Sequence, residues 1–269
     1  MKYRREIPRI RRARDYRLYD ERGNRYLDFF QNNGRALLGH RPGNCFSELK
    51  NVLSKGMVFE APSVYSGRLR RAVGELLPAY PHIRVYEHHL RTAEVVRSLG
   101  LIRQDEEIPD PLLADEIPSV SLWRPFLGDN FSFPPVVEPV LPFPGRFVPS
   151  LLCFADDPGE AVPESEICSP LLLAGLTRIV YDLLTFIRDC DKEGWKRFDL
   201  PFWKRHGPYL LPVCRSEDEY NAMFMSFREN GIFLSPRFPG ASIVPAEYTE
   251  GEIKILKKWE RGNGPWTDC

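Results

Sequence analysis

The sequence predicts an α/β fold, and three observations carry that prediction. Residues 16–29 read as two short strands around a turn, with Gly23-Asn24 supplying residues that tolerate positive φ between aromatic and aliphatic flanks. Residues 170–188 repeat Leu172, Leu173, Leu176, Ile179, Val180, Leu183, Leu184 and Ile187 at helical spacing. Residues 209–235 then run strand, helix, strand.

Taken along the chain, residues 44–55 form a short helix before Gly56, which provides a left-handed C-terminal residue. A second helix follows Pro62, with Leu69, Val73, Leu76 and Leu77 on one side and Pro78 as its stop. The 170–188 helix has Ser169 as its cap and Pro170 at its first position, and its thin polar face predicts burial. Ser216 with Glu219, and Thr249 with Glu252, are two capping boxes. They open helices whose apolar residues are Tyr220, Met223, Phe224 and Phe227, then Ile253 and Leu256. The stretch 109–163 holds 12 of the chain's 25 prolines, which disfavours long regular elements there. Val136-Val137, Phe147-Val148 and Leu151–Phe154 are nonetheless too apolar for a disordered linker, so short strands and ordered loops are expected.

Composition removes several classes. The 269 residues, 43% hydrophobic and 28% charged, are ample for one large or two modest domains with a core. The formal charge is zero, from 37 basic and 37 acidic residues, which argues against a wholly nucleic-acid-binding surface. Cys45, Cys153, Cys168, Cys190, Cys214 and Cys269 contain no Cys-x-x-Cys pair and read as reduced thiols. No apolar run is read as membrane-spanning, and the cytoplasm is the expected compartment. No Gly-x-Ser-x-Gly elbow or Walker-type loop is present.

Two groups of residues resemble one family. The first is Asn33-Gly34-Arg35-Ala36-Leu37-Leu38-Gly39-His40-Arg41-Pro42, which resembles the Gly-His-x-Pro turn before the first helix of class III pyridoxal-phosphate (PLP) aminotransferases. The second is Gly231–Pro236 continuing to Tyr248–Ile253, similar to the C-terminal domain of the same family, glutamate-1-semialdehyde aminomutase in particular. The resemblance implies a truncated aminotransferase-like (fold type I) plan. A small domain would be built from both termini, residues 1–60 and 197–269, around a reduced, proline-rich large domain, residues 61–196.

The middle of the chain departs from that family. Its Ser-Gly-Thr-Glu-Ala turn, which cradles the cofactor phosphate on small residues, corresponds here to Val85–Glu94. Only Thr92 fits, and Arg91 stands at the glycine position, leaving Arg91 and Thr92 as a weak residual anion site. No lysine occurs between Lys55 and Lys192, the interval expected to hold the Schiff-base lysine. Lys192, Lys196 and Lys204 lie beyond the Ser169-Pro170 helix start among charged neighbours and read as surface residues. The strand-end aspartate opposite the pyridinium nitrogen is not found either.

The expectation is therefore an aminotransferase-like protein that has lost transaminase activity and serves as a binding or assembly subunit. It would have no catalytic residue, no metal and no cofactor. The alternatives are a transaminase or aminomutase component, with PLP, completed by a partner chain, and an anionic-surface binder using the basic N-terminal arm. Expected partners are a second copy of the chain or a full-length aminotransferase, with Phe29-Phe30 and Leu37-Leu38 as candidate contacts.

Other constellations are weighed against plainer readings. Lys2, Arg4, Arg5, Arg9, Arg11, Arg12, Arg14 and Arg17 could form an arm for an anionic surface, but a solvated segment beside acidic neighbours is the simpler account. His82 and Glu87-His88-His89 could suggest metal. Adjacent strand histidines point to opposite faces, so a polar surface is preferred. Trp195, Phe198, Phe202, Trp203 and Tyr209, interleaved with basic residues, are read as a partly buried aromatic join rather than a base-stacking surface.

Overall fold

A computed structural model describes residues 7–57, 61–127, 131–143, 148–254 and 256. Lys2, Arg4, Arg5, Phe147 and Cys269, all invoked above, lie outside the described residues. The chain divides into two compact units, 1–41 with 190–269, and 42–189.

In the unit formed by the two chain ends, β1 (Ile10–Arg14), β2 (Arg17–Asp20) and β3 (Arg25–Asp28) make an antiparallel meander. Gly23 turns the β2–β3 hairpin at φ +87°. Asp20 stabilises that turn by accepting from the Arg22 and Asn24 N–H groups, the Asn24 side chain and the Tyr26 hydroxyl. β1 was not expected as a strand. Its residues are mostly exposed, so it lacks the alternating apolar pattern that marks a half-buried strand.

The same unit holds α5 (Glu217–Glu229), begun by the Ser216 hydroxyl accepting from Glu219 N–H. Gly231, at φ +79°, turns the chain into β10 (Ile232–Phe233), which pairs in parallel with β3, Ile232 opposite Leu27. The sheet order is β1-β2-β3-β10. A second sheet, in the order β11-β9-β8, comprises β8 (Trp203–His206), β9 (Tyr209–Pro212) and β11 (Ser242–Ile243). The Thr249–Glu252 capping box is complete: Glu252 accepts from Thr249 N–H at 2.8 Å, and the Thr249 hydroxyl from Glu252 N–H at 3.3 Å.

The aromatic run packs inside this unit. Trp195, Phe198, Phe202, Trp203 and Tyr209 are all buried, and Phe198 stands edge-on to Phe29 at 5.9 Å. That burial corrects the reading of Phe29 and Leu37 as a patch open to a partner: both are core residues, and Phe30 and Leu38 are half-buried.

In the unit 42–189, α1 (Gly43–Ser54), α2 (Val64–Leu76) and α4 (Pro170–Asp189) form a helical layer in which α4 packs against both others. A sheet in the order β4-β7-β6-β5 carries α3 (His89–Ser98). Its strands are β4 (His82–Tyr86), β5 (Val120–Trp123), β6 (Val136–Pro139) and β7 (Ser150–Phe154). β5 and β6 run parallel, while β7 is antiparallel to both β6 and β4. Tyr86, Val95, Val96, Val120, Leu152 and Phe154 form the core beneath α3.

Two expectations need correction. The boundaries fall at 41/42 and 189/190 instead of 60/61 and 196/197, because α1 is anchored on α4 and the buried Trp195 and Phe198 belong with the terminal segments. By length and composition α4 is also apolar enough to cross a membrane, with a mean hydropathy of 1.5. Its apolar face, including Leu173, Leu176, Ile179, Val180 and Leu183, is buried in the protein, as a core helix requires.

Candidate functional site

The unit 42–189 contains a cleft of about 760 Å³ lined by Glu87, His88, Arg91, Glu94, Pro149, Glu166, Ile167, Cys168, Ser169 and Leu172. It is built where β4 ends and α3 begins. His88 is extended and caps α3, its Nδ1 accepting from Arg91 N–H at 3.1 Å. The His88 carbonyl accepts from the Arg91 and Thr92 N–H groups. Thr92 is fully buried, and its hydroxyl turns back to the His88 carbonyl at 3.5 Å. Arg91 and Thr92 therefore do meet at one helix start, with only Arg91 lining the cleft.

Arg91 is engaged by carboxylates of the chain itself. Its Nε donates to Glu166 at 2.7 Å and its Nη1 to Glu94 at 3.2 Å. The hydrogen bond to Glu166 is the main cause holding the guanidinium pKa above its ordinary value. The second Glu166 oxygen accepts from Glu87 N–H at 2.9 Å. Glu166 was invisible to motif reading, because nothing in the spacing of a 15-residue loop ties position 166 to positions 87 and 91. Burial, then the charges of Glu166 and Glu87, pushes the Cys168 thiol up to about 12, so it stays protonated and unreactive at neutral pH.

Behind the helix start, His89 Nδ1 lies 2.7 Å from the carboxylate of Glu138 on β6. The same oxygen accepts from the Ser150 hydroxyl on β7. Glu138 is buried, and its other oxygen, Oε2, has no partner. The pair fixes the first residue of α3 to the sheet and gives His88 and His89 separate tasks, one capping and one tethering. Among the described residues no group of three or more His, Cys, Asp and Glu could hold a metal ion.

These residues do not fit PLP. Every described lysine is exposed, namely Lys50, Lys55, Lys192, Lys196, Lys204 and Lys254, whereas a Schiff-base lysine needs a desolvated place. At the α3 start the Arg91 and Thr92 N–H groups already serve His88, and the Glu87 N–H and the Arg91 guanidinium already serve Glu166. β7 runs into Ala155 at the end of the sheet away from this cleft, and the acids that follow, Asp156 and Asp157, are exposed; near the end of β6, Glu138 is taken up by His89 and Ser150.

Against known structures, the chain aligns with ornithine δ-aminotransferase of Plasmodium falciparum at a TM-score of 0.62 and 14% identity, over 95% of this chain and 94% of that one. N-acetylornithine aminotransferase of Stenotrophomonas maltophilia gives 0.63 and 13%, over 94% of each chain. The chain has a truncated aminotransferase-like fold. A further neighbour at 0.62 is a transaminase with PLP bound, so the residues that fail to fit the cofactor sit on a scaffold that elsewhere carries it. No family model matches the sequence. An uncharacterized protein of Treponema pallidum is 27% identical over 96% of both chains. Another, of Borreliella burgdorferi, is 24% identical over 94% of this chain and 90% of that one. Glutamate-1-semialdehyde 2,1-aminomutase of Clostridium acetobutylicum is 35% identical over 66 residues, which are 24% of this chain and 16% of the aminomutase.

Proposed function

We propose that this chain is an aminotransferase-fold protein that has given up transamination and works as a binding or assembly subunit. The observation that carries the reading is the cleft at the start of α3. Transamination requires a lysine for the cofactor and the proton shuttle, a phosphate cup, and an acid facing the ring nitrogen. Among the described residues no lysine lines this cleft. Glu87 N–H and the Arg91 guanidinium serve Glu166, Arg91 N–H serves His88, and the acid near the end of β6, Glu138, is taken up by His89 and Ser150. The association side of the proposal rests on the fold, since the alignment to an aminotransferase spans 94% of each chain. A second copy or a full-length aminotransferase is the partner to look for.

The test is spectroscopic and chemical. Purified protein mixed with PLP is expected to show no Schiff-base absorbance band. Borohydride reduction followed by mass spectrometry is expected to give no pyridoxyl adduct on a specific lysine. A single stoichiometric adduct would overturn the reading. For association, light scattering is expected to give a mass above one chain, or an aminotransferase that co-purifies. A strict monomer with no such companion would remove the assembly role.

A further inference from the structure

Segment 163–168 is strapped along the outer edge of β4, which ends its sheet with only β7 on the inner side. Glu166 N–H donates to the Val85 carbonyl at 2.9 Å, and Val85 N–H donates to the Ser165 hydroxyl at 3.0 Å. The Tyr86 hydroxyl donates to the Pro163 carbonyl at 2.9 Å, and Arg84 pairs with Glu164 at 3.2 Å. The strap thus satisfies groups that a sheet edge otherwise offers to another chain. It also delivers the Glu166 carboxylate to the Glu87 N–H and the Arg91 guanidinium, at 2.9 and 2.7 Å. A backbone N–H ahead of a helix and a guanidinium fork are the donors that hold an oxyanion. Here the oxyanion is part of the chain.

We propose that the strap is a built-in closure, in which Glu166 takes the oxyanion position at the start of α3 and keeps phosphate and phosphomonoesters out of the cleft. The proposal rests on the reading that the cleft has left cofactor chemistry, and it names a physical cause. Three observations converge. The carboxylate is only 26% exposed, it uses both oxygens, and the strap that carries it is fastened at four other points. Glu87 and Glu94, also lining the cleft, add charge of the sign that repels a second anion.

The experiment compares inorganic phosphate binding by isothermal titration calorimetry, at matched ionic strength in chloride, for the full-length wild type, E166A and the double variant E166A/R91A. E166A is expected to bind phosphate at least about tenfold more tightly than wild type, and E166A/R91A to lose that gain. E166Q keeps the size and one acceptor oxygen without the charge, and it replaces E166A if the latter does not fold. It is expected to change in the same direction. Equal affinity of wild type and a folded E166 variant would overturn the closure, as would a gain that survives removal of Arg91. Inorganic phosphate forms no Schiff base, so this outcome is read separately from the borohydride test.

Discussion

At the scale of single residues, buried carboxylates do most of the organising. Glu252 is 9% exposed in its side chain and receives Arg17 through both oxygens, at 3.0 and 2.9 Å. Burial alone would raise its pKa, but the hydrogen bonds from Arg17 and Thr249 outweigh that and hold it below the ordinary glutamate value. A depressed folded-state pKa contributes stability that is present above the unfolded value and is lost as pH falls through the folded one. Glu252→Gln is therefore expected to lower the urea midpoint at pH 7 and to flatten its decline between about pH 5 and pH 3; an unchanged acid limb would assign that limb elsewhere. Glu138 is the harsher case. Glu138→Ala strips the buried acceptor from His89 and Ser150, and is expected to cost about 3 kcal/mol in chemical denaturation. Gly39 is constrained by backbone instead: at φ +79°, with the Asp15 carbonyl 3.2 Å from where a Cβ would stand, it anchors the turn before α1.

Among the elements, the close approach of α4 to its neighbours gives the sharpest prediction. A Cβ at Gly175 would meet Phe143 at 2.8 Å and Leu49 at 2.9 Å, so α1 and the loop after β6 both press on that position. Gly175→Val is expected to destabilise by about 1–3 kcal/mol through overpacking, whereas Gly67→Val, at a helix position with nothing within 4 Å, should be far milder. Thermal melts of the two variants compare them directly, and equal shifts would place the cost in helix propensity, not packing. Most of the helices were legible in the sequence from their period and their boundary residues: Ser216 with Glu219 opens α5, and Pro78 follows α2; α3 was not foreseen, because its cap is a histidine and its apolar stripe is short. The strands of the proline-rich stretch could be foreseen only as short pieces, since their order β4-β7-β6-β5 is set by pairings that no local pattern encodes. The candidate site was half legible for the same reason. Arg91 and Thr92 follow a strand in sequence, but Glu138 and Glu166 reach the helix start from segments about 50 and 75 residues away in the chain.

For the whole molecule, one unit is discontinuous and the other is not, and that difference has a kinetic consequence. Residues 42–189 are a single run, whereas the other unit joins 1–41 to 190–269. Its sheet is completed only when Leu27 N–H reaches the Gly231 carbonyl at 2.8 Å and Phe29 N–H the Phe233 carbonyl at 2.8 Å. Closing so long a loop costs entropy before any strand contact is gained, although the penalty grows only slowly with length. It falls steeply once the intervening run has already collapsed, since a folded insert holds its own ends at fixed places. The order expected is thus the 42–189 unit first and the discontinuous unit second, as chains of this size commonly fold in stages. Pulse-labelling hydrogen exchange during refolding can read both in one experiment. The amides of Val137 and Cys153, paired across β6 and β7, should be protected in an earlier phase than those of Leu27 and Phe29. Deleting residues from 232 onward removes β10 and should abolish late protection of the β3 amides while leaving the early phase intact. If Leu27 and Cys153 gain protection together, or if the deletion erases both phases, the two units fold as one cooperative body and the staged order is wrong.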